Sequence, residues 1–271
     1  MPQRVLTDLS PGALVRAIEE NAAEFLLALG RAGGGAERRD EHVTWTIGGS
    51  PIGYHNCVVR ADLPPERVDA EIAAALALMR ERGVPGSWHV GPSMRPPNLG
   101  ERLRRHGFVG SREPGMAADL SALSGGVAGP PGLTVEPVRD QAGLSAWAGV
   151  LGLGFGEGER EASWVAEMYR RIGLGDDVPW RHYLGRLDGE AVATASLFFA
   201  AGVAGVYFVS TAPAQRRRGI GAALTLAAAR EAGRLGFRAA VLGASEMGRG
   251  VYERLGFREL CVVEVYEWGG P

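Results

Sequence analysis

The chain has 271 residues, of which 46% are hydrophobic and 22% charged, with a formal net charge of −2 at pH 7 and a pI of about 6.2. This composition is that of a globular protein long enough for two ordinary cores, and it argues against extended disorder. The slightly acidic balance also disfavours a broad basic face, so we expect no nucleic-acid partner.

Targeting and metal signals are absent from the sequence. The first residues, Met1–Leu14, contain no apolar core of signal-peptide length, and no later segment reaches the 18 or more apolar residues of a membrane span. We therefore expect a cytoplasmic protein with no membrane partner. Cys57 and Cys261 lie far apart and the five histidines are scattered, so we expect no metal site and interpret both thiols as structural. The sequence leaves the oligomeric state open.

The first half of the chain predicts a helix, a strand, a second helix and a final strand. Gly83 and Gly107 follow the two helical segments and are interpreted as the glycines that end them. The four predicted elements are Ala73–Arg82, Ser87–Val90, Leu99–His106 and Gly115–Leu120.

A Gly/Pro/Ser-rich segment, 124–132, follows this first group of elements and has the composition of a linker. A new strand begins at Leu133. We therefore expect one domain over residues 1–123, a linker over 124–132 and a second domain over 133–271. Because the linker divides the chain nearly in half, the sequence invites a search for an internal repeat.

The second half repeats the order of the first. A strand with alternating side chains, 206–211, precedes a helix that starts near Gly221 and presents Ile220, Leu224, Ala227, Ala228 and Leu235 near one face. A strand at 238–242 and a second helix follow, with Gly236 and Gly256 as the glycines that end the two helices.

The join at Arg216–Gly221, of sequence RRRGIG, has the construction of a phosphate-binding turn. Gly219 and Gly221 lack a Cβ, so the backbone amides and the positive end of the following helix can approach an anion, and three arginines add positive charge. A Rossmann fingerprint is disfavoured because its sixth position is Leu224. A Walker-type loop is excluded because the chain contains no lysine.

Two motifs in this order resemble the GNAT family of acyl-CoA-dependent N-acetyltransferases. They are Arg216-x-x-Gly219-x-Gly221 and Tyr252, four residues before the pair Gly256-Phe257, and the resemblance covers residues 133–271. With the internal repeat, it implies an α/β fold (an α+β mixed sheet) of two GNAT-like domains in tandem, each a mostly antiparallel mixed sheet flanked by helices.

The first half is expected to be a degenerate GNAT-like domain without a CoA loop. When the helix ends are matched, Val68 takes the place of Gly221, and Leu103 takes the place of Tyr252. Glu66, Asp69 and Glu71 lie near that helix start, where they would repel CoA phosphates. This half either has a structural role or forms one wall of the acceptor pocket.

The resemblance also implies which residues bind acetyl-CoA as cosubstrate. The pantetheine contacts would be Val209, Ser210 and Thr211, and the pyrophosphate contacts would be Arg216, Arg217, Arg218, Gly219, Ile220, Gly221 and Ala222. A backbone amide near Val209 would polarise the thioester carbonyl. Ser245 stands where many relatives carry asparagine and is a further candidate cofactor contact. Tyr252 is the candidate catalytic acid for the departing thiolate.

The general base and the acceptor are less well defined by the sequence. Relatives often draw a glutamate from the central strand, but residues 203–213 contain no acid. The candidate bases are Glu157, Glu159, Glu161, Asp176, Asp177 and His182. The candidate acceptor-pocket aromatics are Phe155, Trp164, Tyr169 and Trp180. We expect acetyl transfer from acetyl-CoA to a primary amine, on a small molecule rather than a protein chain end. The alternative is a non-catalytic acyl-CoA-binding or sensing protein.

Overall fold

The computed structural model describes residues 5–123 and 129–269, which contain seven α-helices and eleven β-strands. The helices are α1 (Pro11–Ala32), α2 (Val68–Arg82), α3 (Leu99–Arg105), α4 (Gln141–Gly152), α5 (Glu159–Ile172), α6 (Ile220–Arg234) and α7 (Glu246–Leu255). The strands are β1 (Ala36–Arg39), β2 (Val43–Ile47), β3 (Cys57–Ala61), β4 (Gly86–Val90), β5 (Val109–Asp119), β6 (Leu133–Pro137), β7 (Trp180–Leu187), β8 (Glu190–Ala200), β9 (Val203–Thr211), β10 (Ala239–Gly243) and β11 (Arg258–Trp268).

The chain divides into two compact units. The C-terminal unit consists of Met1–Asn21 and Gly115–Leu260, and the N-terminal unit consists of Ala22–Pro114 and Cys261–Pro271. Neither is a continuous stretch of chain, because the boundaries fall inside α1, β5 and β11. The domain boundaries expected from the sequence stay a prediction, since residues 124–128 of the expected linker lie outside the described residues.

In the C-terminal unit, the sheet order is β5-β10-β9-β8-β7-β6. The pairs from β6 to β9 are antiparallel, β10 is parallel to β9, and residues 115–119 of β5 are antiparallel to β10. α6 packs on β8 and β9 through buried Ile220, Leu224 and Ala228. The prediction that Leu235 belongs to the apolar face of this helix is wrong. Leu235 lies just beyond the last helical residue and is 46% exposed.

In the N-terminal unit, the sheet order is β1-β2-β3-β4-β11. Only the β3–β4 pair is parallel. α2 ends at Gly83, which has the left-handed φ of +63° that the sequence predicts there. Its buried side chains contribute to a core with Trp88 and Leu103. The predicted fold class, with a mostly antiparallel mixed sheet and flanking helices in each half, is confirmed.

Each unit takes one strand from the other half of the chain. Residues 115–119 of β5, at the end of the first half, pair with β10 of the C-terminal unit. Residues 264–268 of β11, at the end of the second half, pair with β4 of the N-terminal unit. Each sheet is therefore completed by a segment that is distant in sequence.

Among the described residues, no helix is long and apolar enough to cross a membrane. The same part of the chain contains no group of three His, Cys, Asp or Glu side chains arranged to hold a metal ion. Cys57 is buried, which raises the pKa of its thiol, and Cys261 is partly buried.

Candidate active site

The central feature of the C-terminal unit is a gap beside the end of β9. β10 pairs with β9 only at Ala204 and Gly205, so residues 206–211 continue without a partner in β10. On its other side, β9 pairs with β8 along most of its length. One edge of residues 206–211 therefore faces a widening space between two strands of the same sheet.

A β-bulge lies in this part of β9. Phe208 and Val209 together stand opposite a single residue of β8, and Phe208 has a positive φ of +51°. The Thr194 hydroxyl donates a hydrogen bond to the Phe208 carbonyl, 2.8 Å away, and so holds the bulge from β8. A bulge changes the direction of the backbone groups of its strand, and this one includes Val209, near which the resemblance implies a carbonyl-polarising amide.

A cavity of about 740 Å³ opens at this gap and brings together most of the predicted site residues. Those that line it are Val209, Ser210, Thr211, Arg216, Arg217, Gly219, Ile220, Gly221, Ala222, Ser245 and Tyr252. Arg218 is not among them, and its guanidinium donates to the side-chain oxygen of Gln215. Sequence reasoning missed several lining residues, namely Gly154, Gly156, Gln215, Thr225, Met247, Gly248, Val251 and Arg254.

The N-terminus of α6 is built to accept an anion. Gly219 precedes the helix with a left-handed φ of +80°, no side chain caps the first amides, and the first turn carries no acid. A Cβ at Gly219 would have no atom within 4 Å, so there is open space beside this residue. α2 differs, because Asp69 and Glu71 occupy its first turn.

The three arginines before α6 have different surroundings. Arg216 donates from Nε to the Thr211 carbonyl at 3.1 Å and from Nη2 to the Gly154 carbonyl at 3.2 Å. Arg217 has a positive φ of +63°, is exposed, and takes part in none of the ion pairs found among the described residues. Arg217 also lines the cavity, whereas Arg218 does not, so Arg217 is the exposed arginine of the triplet that a phosphate in the cavity could reach.

Tyr252 and Ser245 are positioned by α7. Ser245 caps this helix, its hydroxyl accepting from the Gly248 amide at 3.1 Å. The Tyr252 ring lies over Gly248, where a Cβ would stand 2.9 Å from the ring, and contacts Phe257 edge-on at 5.9 Å between centroids. Burial raises the pKa of Tyr252 from its ordinary value near 10 to about 12.

Two of the candidate bases are buried. Glu161 is 5% exposed, and its carboxylate accepts from the Glu157 amide at 3.0 Å beneath the loop between α4 and α5. A Cβ at Gly156 would overlap this carboxylate, so the loop requires glycine there. Burial, with Arg181 nearby, lowers the pKa of His182 to about 3, which leaves it a weak base.

The other candidate bases lie at the surface. Glu157 pairs with Arg160 at 3.2 Å, and Asp176 pairs with Arg181 at 3.3 Å. Glu159 and Asp177 are exposed. None of these carboxylates lines the cavity.

The predicted pocket aromatics separate into two groups. Phe155 lines the cavity and contacts Phe208 at 5.4 Å between ring centroids. Tyr169 and Trp180 are almost completely buried, and Trp164 is partly buried. Only Phe155 therefore belongs to the wall of the cavity in this structure.

The comparisons with known proteins agree with this geometry. A family model for the acetyltransferase (GNAT) domain matches residues 179–259, which include β7 to β10, α6 and α7. The curated proteins contain no match to the chain. The predicted resemblance to the GNAT family is confirmed, and the match of the domain model lies within the second half of the chain.

Solved structures resemble the whole chain in fold. A GCN5-related N-acetyltransferase from Kribbella flavida is 23% identical, with 92% of this chain and 96% of that chain covered and a TM-score of 0.66. A tandem GNAT protein from the clavulanic acid biosynthesis pathway is 17% identical, with coverage of 100% and 98% and a TM-score of 0.60. A GCN5-related N-acetyltransferase from Sphaerobacter thermophilus is 20% identical, with coverage of 76% and 70% and a TM-score of 0.57. The tandem arrangement of the fold is thus shared across the full length.

Proposed function

We propose that this protein transfers an acetyl group from acetyl-CoA to a primary amine on a small molecule, by direct attack in a ternary complex. The observation that carries the proposal is one cavity lined by the unpaired end of β9, the N-terminus of α6 and Tyr252. Acetyl-CoA has a part that would suit each feature. Its pantetheine arm would lie along the end of β9, its pyrophosphate at the N-terminus of α6, and its thioester near Tyr252.

The residues present fit the anionic end of acetyl-CoA. The first amides of α6 have no side-chain cap, and Gly219 leaves space beside them. Arg217 and Arg254 line the cavity, and neither takes part in an ion pair among the described residues. These donors would hold the pyrophosphate and the remaining phosphate, and Arg216 would hold the loop that presents them.

The unpaired end of β9 fits the pantetheine arm. An extended chain with amide groups can pair with an exposed strand edge, as an added β-strand does. Val209, Ser210 and Thr211 line the cavity at this edge. Pairing along these residues would bring the thioester to the bulge, where the Val209 amide would stabilise the negative charge that develops on the thioester oxygen.

The reaction forms a carbon–nitrogen bond and breaks the carbon–sulfur bond of the thioester. The amine must be neutral to attack, and the CoA thiolate leaves more readily when it receives a proton. Tyr252 carries its proton at neutral pH, as any tyrosine with a pKa near 10 does, and burial raises the pKa of this hydroxyl further, to about 12. We therefore assign Tyr252 as the acid that protonates the thiolate. The attacking nitrogen loses one proton to water as the amide forms, and Tyr252 regains one proton from water, so that the products are the amide and the CoA thiol.

A small amine is favoured as acceptor by the loop between α4 and α5. Gly154, Phe155 and Gly156 of this loop line the same cavity as the α6 N-terminus. They would restrict the approach to the thioester, which suits a small molecule better than a folded protein surface.

Calorimetric titration of acetyl-CoA tests the cofactor assignment, with Gly219→Trp as the test variant and Gly236→Trp as its matched control. Both glycines have a positive φ, +80° and +93°, and neither has an atom within 4 Å of a Cβ position. The two variants therefore impose similar backbone strain at opposite ends of α6. We expect binding to be lost only in Gly219→Trp, and equal binding in both variants would remove the loop assignment.

Acyl-CoA binding or sensing without catalysis is the second candidate function. The observation in its favour is that Val203–Thr211 contains no carboxylate, while the Glu161 carboxylate is held by a backbone amide. Release of one CoA thiol per acetyl-CoA in the presence of a panel of primary amines would identify an enzyme. Saturable binding with no thiol release from any amine would favour the sensor.

A further inference from the structure

Asn21 is a polar residue of α1 that is completely buried, with 0% exposure. Its amide nitrogen, Nδ2, donates to the carbonyl oxygens of Phe198 at 3.3 Å and Ala200 at 3.0 Å. Its amide oxygen, Oδ1, accepts from the Tyr207 hydroxyl at 2.7 Å. A buried amide is stable only when its donors and its acceptor are paired. Both ends of the Asn21 amide are therefore engaged, and they are engaged with β8 and β9.

These hydrogen bonds lie at the place where β9 separates from β10. β9 pairs with β10 only at Ala204 and Gly205, and Tyr207 is the second residue of the segment that lacks this partner. A Cβ at Gly205 would lie 2.0 Å from Asn21 Oδ1 and 2.5 Å from the Tyr207 ring. The close approach of Asn21 and Tyr207 to the strand thus requires glycine at residue 205. We refer to Asn21, Gly205 and Tyr207 as the α1–β9 contact.

The α1–β9 contact is adjacent in sequence to the bulge of β9. Phe208 follows Tyr207 and has a φ of +51°, which is unfavourable for a residue other than glycine. Such a conformation persists only where its surroundings fix it. The Thr194 hydroxyl holds the Phe208 carbonyl from β8, and Asn21 holds the Tyr207 side chain from α1. Side chains outside β9 therefore fix two consecutive residues at the bulge.

We propose that Asn21 is a positioning residue for acetyl transfer. Through Tyr207 it holds the bulge of β9 in the conformation that directs the Val209 amide towards the thioester carbonyl of acetyl-CoA. The inference rests on the proposed function, because it takes acetyl-CoA as the cosubstrate and the Val209 amide as the group that polarises its carbonyl. It adds to the reaction a residue of the first half of the chain, outside the residues 179–259 that the domain model matches.

Asn21 would act on the thioester only through the strand. Among the described residues that line the cavity, neither Asn21 nor Tyr207 is found. The N-terminus of α6, which would bind the pyrophosphate, follows the opposite end of β9 in the chain. Loss of the hydrogen bond between Asn21 and Tyr207 should therefore change the direction of the amide and leave the affinity for acetyl-CoA unchanged. A purely structural role would lower Tm without any effect on the bound carbonyl.

Infrared spectroscopy of bound acetyl-CoA, labelled with ¹³C at the thioester carbonyl, tests the proposal. A hydrogen bond to the carbonyl oxygen polarises the C=O bond, as an oxyanion-hole donor does, and lowers its stretching frequency. Tyr207→Phe removes only the hydroxyl that Asn21 holds, and Asn21→Leu removes the amide. Tyr183→Phe is the matched control, because Tyr183 is a buried tyrosine of β7, which β8 separates from β9. Calorimetry and thermal unfolding give the acetyl-CoA Kd and the Tm of each variant.

We expect the carbonyl frequency to be higher in Tyr207→Phe and Asn21→Leu than in wild type, with the Kd unchanged, and to keep its wild-type value in Tyr183→Phe. The double variant should show no larger rise than either single variant, because both remove the same hydrogen bond. An equal frequency in wild type and Tyr207→Phe would overturn the proposal, whatever the change in Tm. Loss of acetyl-CoA binding in Tyr207→Phe would overturn it too, and this variant decides the matter if Asn21→Leu does not fold.

A second pair of variants shows whether the measurement responds to the bulge. Thr194→Val removes the hydroxyl that holds the Phe208 carbonyl, and Thr194→Ser keeps it. We expect the frequency to rise only in Thr194→Val. A rise there with none in Tyr207→Phe would overturn the role of Asn21 and leave the Val209 assignment in place.

The same measurements separate this inference from the proposed function. If the wild-type protein does not bind acetyl-CoA, both are overturned. If it binds acetyl-CoA with the same carbonyl frequency in wild type, Tyr207→Phe and Thr194→Val, only the positioning role is overturned.

Discussion

Arg216 donates from Nη2 to the main-chain oxygen of Gly154, 3.2 Å away, and so joins the loop before α6 to the loop between α4 and α5. A Cβ at Gly154 would overlap the guanidinium, which shows how closely the two loops approach. Its Nε also holds the Thr211 carbonyl at the end of β9. One side chain thus links three segments of the candidate site.

Arg216→Ala and Arg217→Ala are expected to differ in effect. Arg217 has no ion-pair partner within the described residues, so its loss should weaken acetyl-CoA binding mainly at low salt, by about 0.5–1.5 kcal/mol. Loss of Arg216 should also speed hydrogen exchange at residues 153–158, because their hydrogen bond to the loop before α6 is removed. Calorimetry at two salt concentrations and hydrogen-exchange mass spectrometry distinguish the variants. Identical exchange in both would contradict the linking role of Arg216.

Tyr252→Phe should reduce turnover while leaving the Kd of acetyl-CoA unchanged. The ring remains over Gly248, and only the proton donor is removed. Loss of a general acid typically costs 10²–10⁴-fold in rate, so kcat should fall within this range. Steady-state kinetics and calorimetry on the same preparation measure the two quantities. Full activity in Tyr252→Phe would exclude the acid role.

The pH dependence of turnover should rise and then level off. The acceptor must lose its ammonium proton before attack, so kcat/KM increases with pH up to the pKa of the amine. Tyr252 is active in its protonated form, and burial raises its pKa to about 12, so no descending limb is expected until the pH approaches that value. A fall in rate just above neutral pH would show that a different acid is used.

One acetyl-CoA should bind per chain. In the N-terminal unit, β3 pairs with β4 only at Cys57 and Val58. Beyond these residues, the end of β3 pairs instead with the backbone of Arg95. The Arg95 amide donates to the Ala61 carbonyl at 2.9 Å, and the Leu63 amide donates to the Arg95 carbonyl at 3.2 Å. The strand edge that would pair with a pantetheine is therefore already paired. Two equivalents in calorimetry would contradict this assignment.

Stability should decrease on acidification below about pH 6.5. Burial lowers the pKa of His89 to about 4 and that of His182 to about 3, from an ordinary value of 6.5. Between these values the unfolded chain binds more protons than the folded chain, so the free energy of unfolding falls with falling pH. Chemical denaturation between pH 7 and 4 measures the slope for wild type and His89→Asn. An equal slope in both would exclude His89 as a contributor.

Local features of the chain could be predicted well because a few neighbouring residues encode them. Gly83 and Gly256 end α2 and α7 with positive φ, as expected. Residues 209–211 and most of 216–222 line one cavity, because a strand, a tight turn and a helix that are consecutive in sequence stay close in space. Arg254 was missed, although it lies inside the recognised motif between Tyr252 and Gly256.

Other features depend on partners that are distant in sequence. Glu161 looks like a free loop acid but is 5% exposed beneath the backbone of Glu157. His182 looks like a candidate base, yet burial beside Tyr169 and Trp147 makes it a weak one. Burial and the pKa values that follow from it depend on which elements pack together, and no local pattern specifies this packing.

By itself, the sequence determined the two-fold repeat, the glycine turn before α6 and the position of Tyr252, because turn geometry, helix ends and side-chain spacing follow from adjacent residues. Only the tertiary structure decided that Arg216 binds backbone carbonyls and that β5 and β11 each complete the sheet of the other half. Strand pairing and burial are chosen by the free energy of the whole packed chain, in which each contact depends on groups far away in the sequence.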